Sequence, residues 1–367
     1  MTATMDDTED PRLAARRRAI EGSLLGTALG DALGLPFEGL SRRRVARWLR
    51  GPLRHRFFLG RGFCSDDTEH ACMTGQALLA ARARTGDGVE AFRRSLAWRL
   101  RFWLLGLPAG IGLATLRSLL KQWLCFFTTA DGVRSAGNGP AMRSALIGAC
   151  HGEDRERLRA LVRASTRLTH TDPRAEEGAL AVALAARAAA AGGSDPVEAF
   201  LQALPEVLPE GEMRREIEKA RASAARGEST PDFAASIGCG RGVSGFILHS
   251  VPVALHAWFR HPRDYAAAIE AVVRCGGDTD TVGAITGGIV GAGVGPEGLP
   301  RAWVDGLWEW PRSAAWMRRL AGRLADDRPE GAKRGALPLN AAALMLRNLL
   351  FMLWVLLLGL RRVLPPY

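Results

Sequence analysis

The chain has 367 residues, a formal net charge of +11 and 47% hydrophobic residues, enough length and apolar content for a full core. All but three of its 49 basic residues (Lys121, Lys219 and Lys333) are arginines spread along the whole length, so the charge forms no patch that marks a specific nucleic-acid interface. The six cysteines show no CxxC pair and no zinc-like spacing with histidine, which suits small buried residues in a reducing cytoplasm rather than disulfides or metal ligands.

Abundant alanine and glycine with few β-branched and aromatic residues favour helices over sheet. Residues 1–13 are polar and acidic, with no apolar core for a signal peptide, and are expected to be a disordered lead-in. From Ala14 the pattern turns helical. Gly22, Gly26, Gly30 and Gly34 then recur every four residues, on one helical face. Each glycine weakens an isolated helix by about 1 kcal/mol relative to alanine, so close backbone contact with another helix is the expected compensation. Pro36 ends the helix and delivers Glu38 into a loop, where taken alone it reads as a solvated carboxylate.

A basic, helix-prone linker leads from Arg42 to Phe58. Ser65-Asp66-Asp67 opens the next apolar-periodic run, either as an ordinary helix cap or as three adjacent oxygen donors. Leu96 to Phe127 reads as two core helices joined by a turn at Gly106 to Gly112; its charges leave no membrane-length window. Ser135-Ala136-Gly137-Asn138-Gly139 is a glycine-rich turn whose free N–H groups suit a diphosphate, although it is no Walker or dinucleotide fingerprint. His170 reads equally as a structural histidine or a substrate contact. Asp195 to Arg226 is a charged helical pair. The glycine-rich stretch from Ser236 leads to Phe246, at a site rim or in the core.

Gly276-Gly277-Asp278-Thr279-Asp280-Thr281 opens a helix in which Gly283, Gly287 and Gly291 again repeat every four residues. Two glycine-faced helices, each flanked by acids, imply two backbones packed closely beside one polar site. Trp303 to Leu324 is expected to be one aromatic, arginine-rich helix closing a globular region over 14–330. Residues 331–367 form a linker and hydrophobic tail. Leu349 to Leu360 is uninterrupted and apolar, and extending it to membrane length takes Arg347 through the bilayer or snorkels it, so a membrane-associated tail, interfacial or spanning, is expected over the alternative of a helix docked on the domain.

Four carboxylates, Asp66, Asp67, Asp278 and Asp280, cannot gather without cations, and hard oxygen donors without histidine or cysteine select Mg²⁺ or Mn²⁺. Four acids neutralise two divalent ions, which fits a binuclear site.

Five ordered motifs over roughly residues 20 to 300 carry a family resemblance: GxxxGDALGxPxE at Gly26, the SDDT run at Ser65, SxGNGxAMR at Ser135, LTHTDPRA at Leu168 and GGDTDT at Gly276. The chain resembles the ADP-ribosylglycohydrolases, which include the dinitrogen-reductase-activating glycohydrolases. The resemblance implies a compact all-α domain, two Mg²⁺ or Mn²⁺ ions, and hydrolysis of an ADP-ribose N- or O-glycosidic bond on a modified protein or small conjugate. Carried over by position, Ser65, Asp66, Asp67, Asp278, Asp280 and Thr281 are metal ligands, with Ser65 where threonine is usual. Glu38 matches the glutamate near the scissile bond, and it or Asp67 orients the attacking water. Ser135, Gly137, Asn138 and Gly139 hold the diphosphate and ribose with His170 nearby, and Gly242, Gly245 and Phe246 resemble the adenosine end. His70 departs from the apolar residue usual after Asp-Asp-Thr-Glu. Arginine-type members tend to have an acid where Ser135 stands, which tilts the leaving group away from arginine. Two other readings compete: a membrane-docked ADP-ribose-binding scaffold, and a Mg²⁺-dependent phosphohydrolase acting on a nucleotide diphosphate.

Overall fold

The computed structural model describes residues 10–82, 88–125, 131–151, 154–326 and 335–363. Most of the expected lead-in and the start of the linker lie outside these residues. Among the described residues seventeen α-helices follow in order: α1 (Pro11–Gly34), α2 (Arg42–Trp48), α3 (Asp66–Arg82), α4 (Gly88–Leu105), α5 (Leu113–Leu124), α6 (Ala145–His151), α7 (Arg155–Arg167), α8 (Pro173–Ala190), α9 (Pro196–Val207), α10 (Glu212–Ala225), α11 (Thr230–Ala234), α12 (Ile247–Arg260), α13 (Tyr265–Val273), α14 (Thr279–Val294), α15 (Arg301–Gly306), α16 (Ala314–Ala325) and α17 (Ala341–Val363). Among the described residues there is no β-strand, only isolated bridges between loops, so the expected all-α class is the one observed.

The centre of the fold is the antiparallel pair α1 and α14. A Cβ added at Gly22, Gly26 or Gly30 would stand 2.1, 2.2 or 2.0 Å from the carbonyl oxygen of Gly291, Gly287 or Gly283, and one at Gly34 would stand 2.2 Å from that of Thr279. The two glycine stripes therefore face each other, backbone on backbone. The Tyr265 hydroxyl donates to Gly26 O at 2.5 Å and Thr279 Oγ1 to Gly34 O at 2.9 Å, which pins the pair in register. Because the helices run antiparallel, the C-terminal end of α1 meets the N-terminal end of α14. That meeting point is where the acids are.

Two expectations need correction. Trp303 to Leu324 is not one helix: α15 stops at Gly306 and α16 starts at Ala314, because Pro311 between them cannot continue a helical ladder. The region of α4 and α5 is also less buried than core helices would be. Phe102, Leu113, Leu120 and Leu124 are exposed.

The tail helix α17 is long and apolar enough to cross a membrane by length and composition, and its Arg347 points into the protein. It is buried against the domain, donating to Glu309 from Nε at 2.9 Å and from Nη2 at 2.7 Å. The backbone N–H of Cys64 donates to the same carboxylate at 3.1 Å. Asn348 Nδ2 donates to Gly106 O at 2.8 Å, Trp354 Nε1 to Phe57 O at 2.7 Å, and Phe351 stacks on Phe57 with centroids 5.2 Å apart. Removing one partner of a buried ion pair typically costs about 3–5 kcal/mol, because the other charge stays buried and unpaired. Arg347→Met is therefore expected to lower the melting temperature and expose the tail to limited proteolysis. An unchanged melting temperature with a protected tail would contradict this docking.

Candidate active site

The C-terminal half of α1 carries a single charged residue, Asp31, which is completely buried. Its carboxylate accepts from the Ser65 backbone N–H at 2.9 and 3.0 Å, from the Thr68 N–H at 3.1 Å and from Thr68 Oγ1 at 2.5 Å. Asp31 thus satisfies N–H groups at the start of α3 from another helix, a job that a residue in the preceding loop usually performs. Asp66 and Asp67 are spared that role. Ser65 Oγ donates to Asp67 Oδ2 at 3.0 Å, and Asp66 lies partly exposed under the α4–α5 loop, where a Cβ on Gly110 would stand 3.6 Å from its Oδ1.

The start of α14 meets this acid pair directly. Thr281 Oγ1 donates to Asp67 Oδ2 at 3.1 Å, joining two motifs 214 residues apart. Asp278 stands at the N-cap of α14 without capping it. Its Oδ2 instead accepts from Asn138 Nδ2 at 2.7 Å, which brings in the glycine-rich turn.

Loop backbones complete the surround. Asn138 N–H donates to Gly245 O at 3.0 Å and Ile247 N–H to Ala136 O at 2.9 Å, so the turns at 135–139 and 242–246 run side by side. Val243 N–H donates to Gly276 O at 2.9 Å and Asp278 N–H to Val243 O at 2.8 Å, tying in the third loop. Gly277 bonds the segment after Glu38 twice, through Gly39 N–H to Gly277 O and Gly277 N–H to Leu40 O, both 2.8 Å, and Glu38 beside it is exposed. Gly277 has φ +83° and a Cβ there would lie 2.0 Å from Val243 O, so only glycine serves. A Cβ on Gly245 would come within 3.4 Å of Asp278 Oδ2, and one on Gly242 within 2.7 Å of Gly277 N.

Ser135 Oγ accepts from Gly137 N–H at 3.3 Å and folds its own turn. Beneath the turn lies His170: a Cβ on Gly137 would be 2.9 Å from His170 Nε2, and one on Gly139 3.1 Å from Cε1. Burial, with the Arg143 charge adding, pushes the His170 pKa down to about 3, so the ring is neutral. Phe246 is half-buried at the rim, with the Arg174 guanidinium 5.5 Å above its ring, and that arginine is held by paired bonds to Asp172, both 3.0 Å. These hydrogen bonds and close approaches link the segments at Glu38, Ser65 to Asp67, Ser135 to Gly139, His170, Gly242 to Phe246 and Asp278 to Thr281.

Sequence reasoning missed the supports. Besides Asp31 these include Arg143, fully buried, which donates to Ser165 Oγ, Ser165 O and Thr169 Oγ1 at 2.9 Å each and to His70 Nδ1 at 3.0 Å. An arginine must donate, so His70 Nδ1 is unprotonated; burial, then Arg143, holds its pKa well below the ordinary imidazole value. His70 is therefore the acceptor that an apolar residue could not supply.

Burial pushes Asp66, Asp67 and Asp280 well above the usual carboxylate range, and neighbouring carboxylates push further: Asp31 on Asp66, Asp66 on Asp67, and Glu38 on Asp280. Burial raises Asp278 too, and lifts Asp31 to about 7 against its hydrogen bonds from Thr68 and Ser65. A carboxyl whose folded pKa is raised keeps its proton while the unfolded chain loses it. The fold is thus favoured below about pH 4 and loses that stability as pH rises through the raised values. A divalent cation that takes the protons' place should reverse the loss. The gap in melting temperature between Mg²⁺-loaded and chelator-treated protein is expected to widen from pH 5 to pH 8; a gap that narrows would contradict this cluster of raised acids.

Asp67 Oδ1 and Asp280 Oδ1 are buried with no hydrogen-bond partner. Orphaned anionic oxygens beside two hydroxyls and two further carboxylates make a hard-donor set that fits Mg²⁺ or Mn²⁺. Among the described residues, however, no three His, Cys, Asp or Glu side chains are already drawn together to ligating spacing.

Comparison with known proteins shows the family. Residues 12–333 match the family described as ADP-ribosylglycohydrolase. The chain is 30% identical over 314 residues to an uncharacterized protein of Archaeoglobus fulgidus, covering 83% of this chain and 94% of that one. It is 27% identical to the ADP-ribosyl-[dinitrogen reductase] glycohydrolase of Rhodospirillum rubrum (78% and 89% covered) and 27% identical to the ADP-ribosylhydrolase ARH3 of Xenopus tropicalis (84% and 96%). The solved structure of an ADP-ribosylglycohydrolase-related protein complex superposes with a TM-score of 0.62 at 27% identity, covering 88% of this chain and 100% of that one. The protein is thus an enzyme of the class that hydrolyses glycosyl bonds. The chain belongs to the ADP-ribosylglycohydrolase family.

Proposed function

We propose that the enzyme is divalent-cation dependent and removes ADP-ribose from a modified protein side chain or small conjugate by hydrolysing its N- or O-glycosidic bond. The observation that carries this reading is the junction of Thr281, Asp67 and Ser65, which joins two acidic motifs while leaving Asp67 Oδ1 and Asp280 Oδ1 unsatisfied. Ser65, Asp66, Asp67, Asp278, Asp280 and Thr281 would hold two Mg²⁺ or Mn²⁺ ions, which when bound supply Lewis-acid polarisation at the reacting centre.

The chain's own residues do the rest. The turn at Ser135, Gly137, Asn138 and Gly139, supported from below by His170, receives the diphosphate and ribose, although the N–H groups of Gly137 and Asn138 are themselves committed to Ser135 Oγ and Gly245 O. Gly242 and Gly245 let the backbone approach the nucleotide, and Phe246 stacks at the adenosine end. Asp67 Oδ2 is already committed to two hydroxyls, whereas Glu38 stands exposed at the mouth and acts on the charge state of both Asp66 and Asp280. Glu38 is therefore the better group to orient water toward the anomeric carbon as oxocarbenium character develops. The two variants separate these roles. Glu38→Gln should lower kcat by about a hundred- to ten-thousand-fold and leave the Mg²⁺-induced thermal shift intact, whereas Asp67→Asn should lose both. A Glu38→Gln enzyme with wild-type kcat would remove Glu38 from this role.

The partner is an ADP-ribosylated protein or conjugate in the cytoplasm. The outward leucines of α17, Leu349, Leu353, Leu356 and Leu360, all more than half exposed, would make membrane contact from the docked helix.

A further inference from the structure

Away from the acidic mouth, and sharing none of its residues, a cavity of about 860 Å³ opens between α3, α4 and α17, within the roughly 300–1,000 Å³ of ligand sites. Its walls are apolar and aromatic: Met73 from α3, Trp98, Phe102 and Trp103 from α4, Met345 from α17. Trp98 and Phe102 stack with centroids 5.8 Å apart, and Phe102 is 61% exposed. Three arginines, Arg94, Arg99 and Arg312, also line it, and no carboxylate does. Arg94 is paired at the surface with Glu90, and Arg312 donates to Glu69 from Nη1. The Nε–H groups of Arg99 and Arg312 are buried and have no hydrogen-bond partner, although Arg312 is only 5% exposed. Unsatisfied buried donors are costly, and guanidinium N–H groups are most strongly satisfied by an anion.

An apolar cavity lined by three arginines and no carboxylate is complementary to an alkyl chain with an anionic head. Its α17 wall continues into the exposed Leu346, Leu349 and Leu350, which give such a chain an apolar route in. We propose that the groove between α3, α4 and α17 binds one long-chain fatty acid, its chain along Trp98, Phe102 and Met345 and its carboxylate at Arg99 and Arg312. This site is independent of ADP-ribose hydrolysis and gives the docked tail a ligand to close upon.

The test uses the full chain and a bromine-labelled stearate, whose heavy atoms quench tryptophan fluorescence on contact. Saturable quenching at one equivalent is expected, reversed by palmitate and not by dodecyltrimethylammonium, which has a chain but a cationic head. Arg99→Gln should weaken binding by about tenfold or more, the usual worth of a hydrogen bond to a charged group. Ser95→Phe, which fills the groove wall, should abolish quenching with the melting temperature and ADP-ribose release unchanged. Absence of quenching, equal competition by the cationic amphiphile, or binding to anionic phosphatidylglycerol vesicles without binding of monomeric stearate would each overturn the proposal.

Discussion

Gly26→Ala is expected to destabilise the protein by about 4 kcal/mol or more, the extreme of the range for a point substitution, even though alanine is the better helix former by about 1 kcal/mol. The new Cβ would lie 2.2 Å from Gly287 O and 3.2 Å from Gly291 Cα, both backbone atoms that no rotamer change can move. Relief requires α1 and α14 to separate, and that separation would also part Asp31 and Ser65 from Asp278 and Thr281. Gly322 is the matched control. It also lies within a helix, α16, but a Cβ there meets nothing nearer than Arg17 Nε at 3.9 Å. Gly322→Ala should therefore leave the melting temperature unchanged or raise it. Thermal unfolding of the two variants by circular dichroism decides the matter, and equal effects would show that the glycine stripe is not a backbone interface.

Asp278→Asn is expected to reduce ADP-ribose release by about a thousand-fold or more, comparable to losing a principal electrostatic group from an active site. It should also abolish stabilisation by Mg²⁺ or Mn²⁺. Asp278 is the meeting point of two loops: its N–H donates to Val243 O and its carboxylate accepts from Asn138. The amide side chain keeps the size but loses the charge, so folding should survive. A variant that folds, retains the cation-induced shift and turns over normally would remove Asp278 from the cation site.

The glycine pairing could be read before any coordinates, because a four-residue repeat of the smallest residue on two helices has few explanations besides backbone contact. The acidic motifs were equally visible, since two adjacent carboxylates beside a hydroxyl at a helix start are costly if buried alone. What stayed hidden was support from distant residues. Asp31 sits in the last turn of α1 among leucines and alanines, and nothing local shows that it satisfies the start of α3, 34 residues away. His70 and Arg143 each look unremarkable until they bond across 73 residues. Arg347 suggested snorkelling because its partner Glu309 lies 38 residues upstream, outside any hydropathy window. The break between α15 and α16 was missed although Pro311 carried its signal. The side-by-side course of the turns at Gly137 and Phe246 was not legible, because unpaired loops carry no periodicity from which register can be read.

The most direct measurement is chromatographic separation of products after incubating the protein with ADP-ribosyl-arginine, ADP-ribosyl-serine and O-acetyl-ADP-ribose in Mn²⁺. Free ADP-ribose should appear from at least one substrate, disappear with a chelator and be absent with Asp278→Asn. AMP as the product would instead mean cleavage of the diphosphate, and tight binding with no product would mean a scaffold; either would contradict glycosidic hydrolysis at the Asp67–Thr281 junction.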